Sequence, residues 1–251
     1  MYIYPLDARE AFLDNAKRWV SSYRQYPPGE NHRVVVCLPN GTPTDSDKAI
    51  FADIVVSQFI EYTEGGWDIG AYQCVASQVD ADLMVFTNSR VRFWKAGWMS
   101  RFVEAYKHFG PSGLYGASGS YERCFAYAAH WPNPHIRTSC FATNPKVFRR
   151  FPYTVTSRDE GFKFEAGEWN FMQWYEDHGY PVRVVTWDGF YDKKNWRNPP
   201  NIFRRGNQTN CLVYDRHHDL YFSAPPQEKQ KLEAIAGHVN AMGLATSRVM
   251  A

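Results

Sequence analysis

Two patterns of hydrophobic residues alternate along the first half of the chain. Short apolar runs occupy residues 33–38, which are rich in β-branched residues, and residues 82–86, and each run gives way to polar residues, proline or glycine. Elsewhere apolar residues recur every three or four positions, as they do across residues 98–109. The short runs predict buried strands, and the longer period predicts helices with one buried face.

The order of these elements predicts an α/β fold. Helices are expected at residues 7–25, 46–54, 71–79, 98–109, 168–178 and 227–239, and strands at residues 33–38, 58–62, 82–86, 135–141 and 180–187. Residues 110–119, with glycine at every third position, and residues 193–208 are expected to be loops. Strands that alternate with helices at this spacing indicate a mostly parallel central sheet flanked by helices. We expect one domain over residues 1–251, with halves of about residues 1–115 and 116–251.

The composition is that of a globular protein with many aromatic residues. Of the 251 residues, 44% are hydrophobic and 22% are charged, which excludes disorder, collagen and a coiled coil as the main structure. Aromatic residues make up 17% of the chain, and a surplus of rings often lines sites for flat or ring-shaped ligands. An aromatic-rich core explains the same surplus equally well.

The charge and the cysteines bear on partners and compartment. The 28 basic and 26 acidic residues leave a net charge of +2, so the whole chain offers no electrostatic argument for nucleic acid. Five cysteines are scattered without a Cys-x-x-Cys pair, and no apolar run approaches the roughly 18 residues that a membrane span needs. The first residues lack the basic start and apolar middle of a signal peptide. We therefore expect a soluble, cytoplasmic protein without a transmembrane segment.

Polar and glycine residues follow the predicted strands. Because ligands on α/β sheets bind beyond the carboxyl ends of the strands, the candidate loops are residues 39–47, 65–72 and 87–93. The chain contains no P-loop, no Gly-x-Gly-x-x-Gly after the first strand and no Gly-x-Ser-x-Gly elbow. This argues against the nucleotidases, dinucleotide enzymes and hydrolases that carry those motifs.

Two of these loops carry the candidate binding residues. The second contains Asp68 and Gly70, and the third contains Asn88 and Ser89 directly after a hydrophobic strand. The Asp68 carboxylate can accept hydrogen bonds from a ribose or a base, although an aspartate here can also cap the helix that follows.

The layout of these two segments resembles the donor half of glycosyltransferases with the GT-A fold. Closer still, residues 66–72 read Gly-Trp-Asp-Ile-Gly-Ala-Tyr and are followed by a strand that ends in Asn88-Ser89, an arrangement similar to the rhamnan synthesis F group. Residues 135–141, His-Ile-Arg-Thr-Ser-Cys-Phe, resemble the His-x-Gln-Ser-x-Phe strand of that group. The resemblance covers roughly residues 33–187.

The resemblance implies a hexosyl- or deoxyhexosyltransferase of polysaccharide biosynthesis. Such an enzyme moves a sugar from a nucleotide-diphosphate donor to a hydroxyl on a glycan or a lipid-linked intermediate. Most GT-A enzymes hold Mn²⁺ or Mg²⁺ with an Asp-x-Asp where this chain has Thr87-Asn88-Ser89. Either other residues hold the divalent metal, or cations of the protein neutralise the diphosphate.

A basic stretch near the C-terminus offers such cations. Residues 183–218 contain seven Lys or Arg against three Asp, a local charge of +4. Arg204 and Arg205 stand beside a glycine and suit a diphosphate leaving group, while a solvated basic loop accounts for them equally well. Asp215 and His217 could hold a metal or contact phosphate, or form a solvated turn.

Sugar transfer with inversion needs a carboxylate that takes the proton from the acceptor hydroxyl. GT-A enzymes carry one just before the helix that precedes the last strand, where Glu165 and Glu168 fit. Glu165 has apolar neighbours on both sides, which favour a raised pKa, whereas Glu168 is also explained as a first-turn charge that the helix dipole favours.

Two basic residues, His135 and Arg137, alternate on a predicted strand and should face the same way. They could contact the acceptor or a phosphate. A buried histidine beside an arginine in a salt bridge is the structural alternative.

Two other functions remain open from the sequence. One is a glycosyltransferase that acts on nucleic acid, which the basic stretch allows and the near-neutral charge of the whole chain argues against. The other is a non-catalytic module that binds nucleotides or carbohydrates, which the missing Asp-x-Asp allows.

Overall fold

The computed structural model describes residues 2–3, 9–39, 44–122 and 131–238, with only the backbone of residues 2–3, 9–12 and 39. The helices within these ranges are α1 (Arg9–Gln25), α2 (Asp45–Ala49), α3 (Trp67–Gln78), α4 (Trp98–Phe109), α5 (Pro145–Phe148), α6 (Arg158–Ala166), α7 (Phe171–Asp177), α8 (Arg216–Ser223) and α9 (Pro226–Ile235). The strands are β1 (Tyr2–Ile3), β2 (Val34–Pro39), β3 (Val56–Tyr62), β4 (Met84–Thr87), β5 (Arg92–Phe93), β6 (Leu114–Gly116), β7 (Gly119–Ser120), β8 (His135–Ile136), β9 (Cys140–Thr143), β10 (Val182–Val185), β11 (Phe190–Tyr191) and β12 (Val213–Tyr214).

One sheet of eight strands forms the centre of the molecule. Its strand order is β11-β10-β6-β9-β4-β1-β2-β3, and both halves of the chain contribute to it. Strand β9 runs antiparallel to β4 and β6, and β11 runs antiparallel to β10, whereas the other strands share one direction. The predicted α/β class with a central sheet flanked by helices is confirmed. The sheet is mixed because β9 and β11 are reversed.

The strand order reverses between β1 and β4. From β1 the chain adds β2 and β3 on one side of the sheet and then crosses to add β4 on the other side. Such a reversal opens a crevice at the carboxyl ends of the two strands, because their following loops diverge there.

Alternate residues of β2 supply the two hydrophobic cores. Val34, Val36 and Leu38 pack on the face covered by α1 and α4, and Val35 and Cys37 pack on the face covered by α3, α5, α6 and α7. The second core is built largely from stacked or tilted rings, which include Phe86, Phe141, Phe148, Phe164 and Phe171. Much of the aromatic surplus therefore belongs to the core.

Helix α4 confirms the prediction made for residues 98–109. Trp98, Phe102 and Ala105 are buried along one face. Gly110 ends the helix at φ +106°, where a side chain would be strained. Helix α3 begins at Trp67, four residues earlier than expected, because Gly65 and Gly66 turn the chain at positive φ.

The glycine-rich stretch 110–119 is not simply a loop, as predicted, because it contains β6 at the centre of the sheet. A Cβ at Gly116 would meet the Ile136 side chain, and one at Gly113 would meet the Tyr115 ring. These two glycines allow close packing and do not form turns, so their spacing led to the prediction of a loop where the chain forms a strand.

In the second half of the chain one further prediction was wrong and one helix was not predicted. Residues 135–141 form no single strand, because β8 pairs with β7 while β9 joins the central sheet. Helix α6 was missed because only Phe164 and Ala166 are buried in it, which leaves little hydrophobic period to detect.

Some predictions concern residues outside the described ranges. These are Asp7, loop residues 40–43, Cys124 and the helix end at Val239. Among the described helices, none combines the length and apolar composition required to cross a bilayer.

Candidate active site at the carboxyl end of the sheet

A polar cleft of about 450 Å³ lies beyond the carboxyl end of β4. It draws residues from both halves of the chain, including the loop after β4, the first turn of α3, the end of α6 and the start of α8. The residues singled out from the sequence that line it are Asp68, Asn88, His135, Arg137, Glu165, Asp215 and His217.

Asp68 and Asn88 meet at the side of the cleft nearest the strand-order reversal. The turn at Gly65 and Gly66 lies against the backbone oxygens of residues 155 and 156, with no room for a Cβ, and it places Asp68 in the first turn of α3. Asn88 follows β4 directly, and its Oδ1 accepts the backbone N–H of Arg90 at 3.1 Å. The other end of the amide hydrogen-bonds to the Asp68 carboxylate. Asp68 is not the helix cap, because Gly66 occupies that position.

The electrostatic environment of Asp68 is unusual for an aspartate. Burial raises its pKa to about 6, and the nearby Glu165 carboxylate adds to this rise. The hydrogen bond from Asn88 and the charge of Arg90 act in the opposite direction. Asp68 is therefore ionised at neutral pH but takes up a proton in mildly acidic solution.

Glu165 reaches the cleft, whereas Glu168 does not. Glu165 lies near the end of α6, between the buried residues Phe164 and Ala166, and its Oε1 accepts the backbone N–H of Thr138 at 3.0 Å. Glu168 is exposed in the connection to α7, outside the cleft walls. The structure thus leaves one of the two sequence-predicted carboxylates at the candidate site.

His135 and Arg137 combine both interpretations that the sequence allowed. Both are buried, and both line the cleft. His135 Nδ1 donates to the Asn133 carbonyl at 2.9 Å, and burial lowers the pKa of the ring, so neutral His135 carries an unprotonated Nε2. Arg137 forms a salt bridge to Asp215 at 2.8 Å and lies over the Phe203 ring.

Asp215 serves as the N-cap of α8. Its Oδ1 accepts the backbone N–H of His217 at 2.9 Å and lies 2.9 Å from His218 Nδ1, while Oδ2 pairs with Arg137. Burial alone would raise its pKa, but the Arg137 guanidinium and the His218 ring hold the pKa of Asp215 well below its usual range.

His217 is uncharged at the cleft wall. Burial and the Arg137 guanidinium lower its pKa to about 3, and its Nδ1 accepts from Arg204 at 3.2 Å. Since both Asp215 oxygens and His217 Nδ1 are engaged, these residues do not fit a divalent cation. Nor do the described residues elsewhere place three or more His, Cys, Asp or Glu where they could hold a metal.

The structure does not bring Arg204 and Arg205 together at the cleft. Arg204 is buried behind the wall, where it pairs with Glu122 at 3.0 Å and supports His217. Arg205 points elsewhere and donates to the Arg197 carbonyl at 2.7 Å. Sequence proximity gave no information about the direction of either side chain.

Gly70 and Ser89 lie behind the cleft wall. A Cβ at Gly70 would meet the Tyr62 hydroxyl and the Gly65 carbonyl, so glycine is needed there for packing. Ser89 is buried next to Asn88 and does not line the cleft.

Sequence reasoning missed three charged residues of the cleft: Arg90, Glu122 and Arg216. Arg90 belongs to the candidate loop 87–93 and Arg216 to the basic stretch, so both had a signal that was not used. Glu122 had none, because its role follows from the ion pair with Arg204 across 82 residues.

A second cavity of about 610 Å³ lies at the opposite end of the sheet. It is lined by the first residues of β2 and β4 and by aromatic and aliphatic residues of α1 and α4. The convergent polar groups and the Asp68 carboxylate, whose pKa is raised, line the polar cleft, which is therefore the candidate site.

Comparison with known proteins does not assign the chain. No family model and no curated protein sequence matches it. Similar solved structures include HddC from Yersinia pseudotuberculosis, with 13% identity over 66% of this chain and 74% of that one at a TM-score of 0.40. Mouse xyloside xylosyltransferase 1 gives 7% identity over 73% and 83% of the two chains at a TM-score of 0.44. The inositol-1-phosphate CTP transferase from T. maritima gives 12% identity over 95% and 97% at 0.42.

At TM-scores below 0.5, these similarities establish neither the fold nor the function of this chain. None of the three is described as a rhamnan synthesis protein, so that resemblance stays a prediction.

Proposed function

We propose that the protein is a glycosyltransferase that moves a sugar from a nucleotide-diphosphate donor to a hydroxyl acceptor, as the sequence resemblance implies. The observation that carries the proposal is that one cleft joins the Asp68–Asn88 pair, at the strand-order reversal, to the Glu165 carboxylate. These groups come from segments 20 and more residues apart in sequence, yet they meet where α/β sheets bind ligands.

The donor nucleoside would bind on the Asp68 side. An ionised carboxylate accepts hydrogen bonds from the two hydroxyls of a ribose or from the N–H groups of a base. Asn88 fixes the orientation of Asp68, since its own amide is held by the Arg90 backbone at the other end.

Two exposed aromatic rings, one of which lines the cleft, suit a ring-shaped ligand. Trp67 is 53% exposed, Phe162 is 39% exposed, and the Arg158 guanidinium lies over both rings at 5.3 and 5.4 Å. Phe162 also lines the cleft. Large exposed rings beside a polar cleft offer stacking surfaces for a base or a sugar.

Glu165 would act as the general base. The acceptor oxygen attacks the anomeric carbon and forms the new glycosidic bond, while the bond from that carbon to the phosphate oxygen breaks and its electron pair leaves with the nucleoside diphosphate. The hydroxyl proton passes to Glu165. Its Oε1 is held by the Thr138 N–H, which leaves Oε2 to receive the proton.

His135 would help to position the acceptor. In the neutral ring Nδ1 is protonated and bound to the Asn133 carbonyl, so Nε2 can accept a hydrogen bond from a sugar hydroxyl.

The test combines binding with turnover. UDP, GDP, dTDP, CMP and their sugars are screened by thermal shift with and without Mn²⁺, and a ligand at a hundred times its Kd should add about 2.7 kcal/mol of stability. The sugar nucleotide that binds is then incubated with glycan acceptors, and release of the nucleoside diphosphate is followed by mass spectrometry. Release that depends on acceptor supports the proposal. Binding without release under all acceptors would instead indicate a non-catalytic module, and no binding would overturn the donor site.

A further inference from the structure

A third, smaller pocket of about 190 Å³ adjoins the cleft and is lined mainly by arginines. Helix α1 contributes Asn15 and Arg18, the chain after β4 contributes Arg90 and Arg92, and the start of α8 contributes Arg216 and Asp219. We call the four guanidinium groups of Arg18, Arg90, Arg92 and Arg216 the arginine pocket.

The carboxylate of this pocket is already engaged. Asp219 pairs with Arg92 through both oxygens, one at 2.7 Å from Nη1 and the other with Nη2. Among the described residues of the pocket lining, no carboxylate oxygen remains for Arg18 or Arg216. The pocket therefore carries a net charge of +3 from four arginines and one aspartate.

Repulsion between the guanidinium groups is evident at Arg90. Burial lowers its pKa, the charge of Arg216 lowers it further, and the Asp68 and Asp215 carboxylates act in the opposite direction. An anion bound between Arg90 and Arg216 would relieve the repulsion between these two side chains.

The pocket shares two lining residues with the candidate active site. Arg90 and Arg216 line both the cleft and the arginine pocket. A molecule that fills the cleft can extend an anionic group between these two side chains. A volume of about 190 Å³ is below the roughly 300 Å³ at which small-molecule sites begin, which suits one charged group rather than a whole ligand.

We propose that the arginine pocket binds a phosphate group of the molecule that occupies the cleft. Guanidinium forks match phosphate oxygens in geometry and charge, and four of them line this pocket, of which the Arg92 fork is already held by Asp219. The proposal rests on the proposed function only for the source of the phosphate, which is either the diphosphate of the donor or a phosphate carried by the acceptor.

Inorganic pyrophosphate is the first probe, titrated by calorimetry at low salt against wild type, Arg18→Gln and Arg216→Gln. Lys17→Gln is the matched control, because it removes one positive charge from the same helix at an exposed residue outside the arginine pocket. Loss of a charge-assisted contact should weaken binding about tenfold in each arginine variant and less than twofold in the control. Arg18 is exposed, so its variant should fold normally. Equal affinity in all four proteins, or no binding to wild type, overturns the proposal.

Nucleoside diphosphates then identify the source. If Arg18→Gln weakens binding of UDP, GDP or dTDP but leaves the matching nucleoside unaffected, the phosphate belongs to the donor. Pyrophosphate could instead still bind when the nucleoside diphosphate is saturating. If Arg18→Gln then weakens the binding of pyrophosphate but not that of the nucleoside diphosphate, the phosphate belongs to the acceptor. The pyrophosphate result stands by itself, so failure to transfer sugar would overturn the proposed function without touching the pocket.

Discussion

The Asp68 carboxylate is hydrogen-bonded to the Asn88 side chain, and this contact joins the first turn of α3 to the end of β4. Both residues belong to the first half of the chain, while the Glu165 carboxylate that raises the Asp68 pKa comes from the second. The pKa of Asp68 therefore depends on a contact between the two halves of the chain.

Asp68→Asn should stabilise the protein at neutral pH. Because the folded state raises the Asp68 pKa to about 6, its contribution to stability is complete below the ordinary value of about 4 and is lost as the pH rises through about 6. The neutral amide avoids this loss, so the free energy of unfolding should rise by up to about 3 kcal/mol at pH 7.5. The gain should disappear near pH 4. Urea unfolding at both values measures it, and an equal or lower stability of the variant at pH 7.5 would contradict the assignment.

Nucleotide binding should weaken in mild acid. Below about pH 6 Asp68 becomes protonated and loses an acceptor, so affinity should fall by up to about tenfold per pH unit. His217 cannot cause this change, because its pKa of about 3 keeps it neutral throughout. Calorimetry between pH 5 and 7.5 with the nucleotide found by thermal shift gives the profile. In Asp68→Asn the affinity should be weaker at pH 7.5 and flat with pH; a variant that retains the wild-type profile would show that another group titrates.

Glu165→Gln should abolish transfer while Glu168→Gln leaves it intact. The glutamine can still accept the Thr138 N–H, so the fold is preserved and only the base is lost. Removal of a general base lowers kcat by about 10²–10⁴-fold. Glu168 is exposed and outside the cleft, and its variant serves as the matched control with the same change in charge. Full activity in Glu165→Gln, with nucleotide binding unchanged, would contradict the assignment of Glu165 as the general base.

The sequence predicted Asp68, Asn88 and Glu165 because their signals are local. Each follows a predicted hydrophobic strand or lies between apolar neighbours, and such patterns can be recognised in the sequence without information about tertiary contacts. The resemblance in residues 66–72 pointed to the same place. The carboxyl-end rule then connects Asp68 and Asn88, since β3 and β4 run in one direction and bring their following loops to one edge. It does not place Glu165, which follows the antiparallel strand β9.

Arg204 and Arg205 show where such reasoning fails. The two are adjacent in sequence, but Arg204 sits at φ +53° and turns inward to Glu122, while Arg205 binds carbonyls of its own loop. No periodicity governs the direction of side chains in an irregular segment. The prediction of a loop around β6 failed for a related reason. The glycines there are needed because the side chains of Tyr115 and Ile136 leave no room for a Cβ, and such packing depends on tertiary contacts.

The buried ion pair between Arg137 and Asp215 should contribute more to the free energy of unfolding than the more exposed pair between Arg92 and Asp219. Asp215→Ala removes the N-cap of α8 and leaves the buried Arg137 guanidinium without its carboxylate, which should cost about 3–5 kcal/mol. Asp219→Ala, on the same helix but in the more exposed pair with Arg92, should cost less than about 1 kcal/mol. Because the folded state holds the Asp215 pKa well below its usual range, its contribution is present above about pH 4 and is lost as the pH falls below that value. The gap in unfolding free energy between wild type and Asp215→Ala should therefore narrow in acid. A gap that is independent of pH, or equal costs for the two variants, would show that Asp215 acts only as a helix cap.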